Sequence, residues 1–60
     1  MLLKLLNKNN ECIEVAVTTV WQDIHAGMNM LYFERPTDEI GKGTFVDVDT
    51  LNTWQIVRKQ

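Results

Sequence analysis

A partner for Cys12 is missing from the sequence, so no disulfide can close within the chain. With His25 the only histidine, the residues also fall short of a zinc site of the usual kind, which takes four ligands drawn mostly from Cys and His. Cations are few and scattered. Lys4, Lys8, Arg35, Lys42, Arg58 and Lys59 form no run, and the formal net charge is -2. Binding to nucleic acid by counterion release needs clustered Lys and Arg. Long apolar runs are lacking as well, since nothing approaches the roughly 20 apolar residues that cross a bilayer. The opening Met1-Leu2-Leu3-Lys4-Leu5-Leu6 is split by Lys4 and ended by Asn7-Lys8-Asn9-Asn10, short of the run of about 7–15 apolar residues in a secretory signal. These absences predict a soluble, cytoplasmic protein with a reduced Cys12 thiol, no metal and no cofactor.

What is present fits a folded domain. The chain of 60 residues is 45% hydrophobic and 23% charged, too apolar for intrinsic disorder. It has room for one small domain over 1–60, and such a domain buries only about 60% of the surface its unfolded chain exposes. Without disulfide or zinc, either a partner subunit or unusually tight packing must supply the missing stability.

The dominant hydrophobic period is two, the period of strands. In Leu2–Leu6, Leu3 and Leu5 share one face and Leu2, Lys4 and Leu6 the other. Asn7–Asn10 reads as a turn. From Glu11 to Gln22, Ile13, Val15, Val17, Thr19 and Trp21 alternate with Cys12, Glu14, Ala16, Thr18 and Val20. A β-branched strand of that length is expected to bend or carry a bulge. Asp23–Gly27 is a connection, and a third strand runs from Met28 to Arg35, ended by Pro36. A fourth runs from Thr44 to Asp49 and a fifth from Trp54 to Arg58, with room for one short helical turn near 37–41 or 50–53. The fold class is therefore all-β: a five-stranded antiparallel curved sheet or a small barrel. The outline, with its short turn between the last two strands, resembles an SH3-like barrel in layout only. No residue of that family's ligand groove is matched.

The strands are apolar on both faces. Leu2 and Leu6 oppose Leu3 and Leu5; Ala16 and Val20 oppose Val17 and Trp21; Met28 and Met30 oppose Leu31 and Phe33. One core absorbs one set, and the other is left for an interface. The expected protein is thus a non-enzymatic interaction module, a homodimer that binds and inhibits or adapts a larger protein in the style of small phage or mobile-element inhibitors. Candidate interface residues are Leu2, Leu6, Val20, Met28, Met30, Tyr32 and Trp54. Trp21 reads better as core, whereas Trp54 suits either place. Glu34, Asp38, Glu39, Asp47 and Asp49 are candidates for an acidic patch that steers a basic partner.

Other chemistry is thinly represented. Asp23 and His25, two residues apart, would share a face and form an orienting pair only in an extended segment, whereas in a turn both are solvated, and the Asp47 and Asp49 pair supplies only two ligands for a hard cation. Gly41-Lys42-Gly43 lacks the rest of a phosphate-binding motif. A single-stranded nucleic-acid module is the alternative, with Trp54 or Tyr32 stacking on bases and Arg35, Arg58 and Lys59 on phosphates.

Overall fold

Alternating apolar residues separated by Asn-rich and Gly-containing turns fold into six strands in the computed structural model, which describes residues 1–58. They are β1 (Leu2–Asn7), β2 (Cys12–Ala16), β3 (Thr19–His25), β4 (Met28–Glu34), β5 (Thr44–Asp47) and β6 (Leu51–Val57). Two antiparallel sheets result, in the orders β2-β1-β6 and β3-β4-β5. All-β is the right class, but the sheets do not close into a barrel. The first and last strands pair, and the short turn expected before the last strand is a 3₁₀ turn, Val48–Thr50. That turn lies just ahead of the 50–53 position expected for it. Loop 35–43 forms hydrogen-bonded turns instead of a helical one.

Turn chemistry fixes the hairpins. At the β1–β2 turn, Asn7 Oδ1 accepts from the amides of Asn9 (2.9 Å) and Glu11 (3.0 Å), and Asn10 takes a φ of 63°. Asn performs both tasks readily. The β3–β4 hairpin turns on Ala26 and Gly27, with φ of 53° and 76°, between the paired His25 and Met28. Two positive φ values in a two-residue loop match the right-handed twist of the flanking strands. Ala26 is the poorer fit, since a left-handed conformation costs a non-glycine residue roughly 1–2 kcal/mol. Replacing it by Asn, which tolerates that region, is expected to stabilise the domain by about 0.5–1 kcal/mol. A thermal melt that fails to rise for Ala26→Asn would show that the turn carries no such strain.

The single long strand expected over 11–22 is two strands that meet at a corner. Val17 exchanges backbone hydrogen bonds with Met1 (3.0 and 3.2 Å), continuing the first sheet. The next residue, Thr18, donates its amide to Glu34 O (2.8 Å), beginning the second. The corner reverses the alternation. Before it, odd-numbered Val15 and Val17 face inward; after it, Val20 does, opposite the buried Phe33.

The inner faces of the sheets share one core: Leu3 and Leu5 from β1, Val17 from the corner, Leu31 and Phe33 from β4. Val15, Val20, Val46, Val48, Leu51, Trp54 and Ile56 pack around them. The Cα trace spans 27 × 26 × 16 Å, thin enough for two layers and a small interior. No described helix is long and apolar enough to cross a membrane.

Candidate functional site

Because the inner faces meet, the outer faces point in opposite directions and carry the remaining apolar side chains. On the outer face of the second sheet, cross-strand register aligns Trp21, Tyr32 and Phe45 in one row over β3, β4 and β5. Trp21 and Tyr32 stack with ring centroids 5.4 Å apart and planes 7° from parallel, and Tyr32 and Phe45 lie 5.9 Å apart at 49°. Such pairs stabilise each other by about 0.5–1.5 kcal/mol beyond area burial. The row is nevertheless open to solvent: Trp21 is 40% exposed and Phe45 61%.

The neighbouring row is Asp23, Met30 and Asp47. Met30 is buried although it lies on this outer face, with a carboxylate-bearing residue opposite it on each side. Beyond it His25 faces Met28, which is 46% exposed; on the other side of the aromatic row Glu34 faces Thr19. β3, β4 and β5 contain three acidic residues and no Lys or Arg.

The first sheet's outer face is smaller and differently charged. Leu2 sits between Ala16 and Val57, Leu6 between Cys12 and Thr53, and Lys4 between Glu14 and Gln55. Lys4 and Glu14 form an exposed ion pair at 3.8 Å. At one edge, Met1, Leu2, Ala16 and Arg58 line an open cleft.

The residues expected at an interface therefore separate. Leu2 and Leu6 lie on one outer face; Met28, Met30 and Tyr32 lie on the other. Val20 and Trp54 belong to neither, because both pack against the core. Met30 offers little surface, being 5% exposed. Trp21, read from the sequence as core, stands outside. Both departures involving β3 follow from the corner at Val17–Thr18, which moves Val20 inward and Trp21 outward. The apolar spacing of three in Val17-Thr18-Thr19-Val20 is the signal for it. Phe45 was legible too, as it alternates in phase with Asp47 and Asp49.

The acidic candidates are spread out. Asp38 pairs with Arg35 (3.5 Å) and accepts its amide, and Glu39 pairs with Lys42 (3.3 Å). Glu34 Oε1 accepts from the Gly41 amide. Asp47 Oδ1 accepts from the Asp49 amide at 2.9 Å, so this pair caps the 3₁₀ turn. Asp23 Oδ1 accepts from the Ile24 amide, and His25 is exposed beside the turn. Among the described residues no group of three or more His, Cys, Asp or Glu could hold a metal ion. Of the cations assigned to phosphates in the nucleic-acid alternative, Arg35 is engaged by Asp38 and Thr44, and Arg58 lies by the cleft on the first sheet. Lys59 lies outside the described residues. No family model, curated protein or solved structure matches the chain.

Proposed function

We propose that the chain is a non-enzymatic protein-interaction module, which pairs with a second copy through the outer face of the first sheet and engages a larger protein through the aromatic face of the second. The observation that carries this reading is the row Trp21, Tyr32 and Phe45, held open on a sheet face that none of the described residues covers. Trp and Tyr dominate binding energy at protein interfaces because their large rigid rings lose little entropy on docking. Occlusion of the bound protein, as by small phage or mobile-element inhibitors, is the activity that suits a domain of this size.

The charges divide the two roles. Two copies meeting through the second sheet would bring Asp23, Glu34 and Asp47 against their own counterparts, and like-charge juxtaposition at an interface costs several kcal/mol. The strands of the first sheet carry one Lys and one Glu on their outer face, Lys4 and Glu14, with Arg58 at its edge. In a two-fold pair, Lys4 of one copy can reach Glu14 of the other, so the face is self-complementary. Light scattering is expected to give a dimer for the native chain and a monomer for Leu6→Glu, with both melting cooperatively. A native chain that stays monomeric at high micromolar concentration removes the homodimer.

The exposed rings also suit base stacking, which favours the nucleic-acid reading on one count. Carboxylates on the same face oppose it, because they repel phosphates where cations are needed. Absence of any oligonucleotide shift at low salt ends that reading.

A further inference from the structure

Resting on the aromatic face as a docking surface, we infer that its occupant is a positively charged, extended segment of a protein, with Lys or Arg side chains reaching Asp23 and Asp47. The feature is an unpartnered sheet face. Its charge decides what fits.

Asp23 and Asp47 lie on the two outer strands of one sheet and flank Met30 in register. With strands about 4.8 Å apart, their Cα atoms stand roughly 10 Å from each other. The ion pairs of the described residues are Lys4–Glu14, Arg35–Asp38 and Lys42–Glu39, so neither carboxylate faces a cation. Each spends Oδ1 on a neighbouring backbone amide, and Oδ2 of each has no hydrogen bond within the described residues. A guanidinium or ammonium group arriving here gains a charge-assisted bond that an uncharged residue cannot form. The aromatic row is two residues further along the strands, about 7 Å away. An Arg over Trp21 gains a cation–π contact there as well.

An extended segment is favoured by β3. Among the described residues it pairs only with β4, leaving its other edge open, and every residue in it except Val20 is exposed. A segment added along that edge places alternate side chains over the outer face at the spacing of Thr19, Trp21, Asp23 and His25. A second copy or a nucleic acid brings negative charge to the same place and is disfavoured on that ground.

The test uses a Trp54→Phe chain, so that Trp21 alone reports, and three peptides of equal length alternating Thr with Arg, Gln or Glu. The Arg peptide is expected to change Trp21 emission and to bind at least about tenfold more tightly than the Gln peptide, with the Glu peptide weakest. Asp23→Asn with Asp47→Asn, which keeps both amide acceptors, should weaken the Arg peptide about tenfold or more. Glu11→Gln with Glu39→Gln removes equal charge elsewhere and should leave it unchanged. Equal weakening by both pairs would reduce the effect to general attraction and overturn the inference. Gln or Glu peptides that perturb Trp21 as strongly as the Arg peptide overturn the cationic preference but leave the docking face standing. If no peptide perturbs Trp21, the inference fails, while the interaction reading is still judged separately by what the native chain and a face variant retain.

Discussion

Leu31→Ala is expected to remove half or more of the domain's stability. Leu31 is wholly buried and lies between Gln22 and Val46 on the inner face of the second sheet, in the core shared with Leu3 and Leu5. Truncating a buried leucine typically costs about 2–5 kcal/mol, through lost transfer energy and the cavity left behind. At 60 residues the total stability is about 3–9 kcal/mol by the usual allowance per residue. One side chain thus accounts for much of the margin. Few others share the burden, since the buried hydrophobic residues among those described are Leu3, Leu5, Val17, Met30, Leu31 and Phe33. Ile40→Ala is the control. Ile40 is 96% exposed in the loop between β4 and β5, and its truncation should shift stability by no more than about 0.5 kcal/mol. Comparable losses for the two, in thermal or urea melts, would mean that the core is not where the strands place it.

The second large effect concerns binding and should leave the fold intact. Trp21→Thr with Phe45→Thr removes the two exposed rings while keeping β-branched residues on the strands. Stability should fall only by about 1–2 kcal/mol, mainly from losing the ring pairs with Tyr32. Retention of a partner from the native host's extract should fall by about 100-fold or more, as expected when hot-spot rings worth at least about 2 kcal/mol each are removed. Quantitative mass spectrometry of what each chain retains reads the loss, and circular dichroism confirms the fold. If both chains retain the same proteins equally, the aromatic face is not the binding surface and the proposed function loses its carrier.

Much of the local architecture was legible in the residues. The Asn-rich stretch after Leu6, the glycine at 27 and Pro36 mark three of the breaks between strands. The alternation in Leu2–Leu6 and Met28–Phe33 assigned inner and outer residues correctly in β1 and β4. At the candidate site less was legible. Met28 and Tyr32 stand on the outer face as their alternation implies, but Trp21, which reads as core, stands there too, and Trp54, which suits either place by sequence, packs against the core. Trp54 lies inside because β6 begins at Leu51 and brings it opposite Leu5, whereas Trp21 lies outside because the strand before it turns a corner.

The sequence by itself determined that this is a strand protein, that the chain turns after Asn7 and at Gly27, and that its apolar side chains exceed what one small core can hide. Only the tertiary structure decided which apolar set is hidden. Period-two alternation says which residues share a face within one strand, but it is blind to which face meets another sheet. Where the chain passes from one sheet to the next, at Val17 and Thr18, two successive residues pair with different strands, and the phase carried in from one side does not survive to the other.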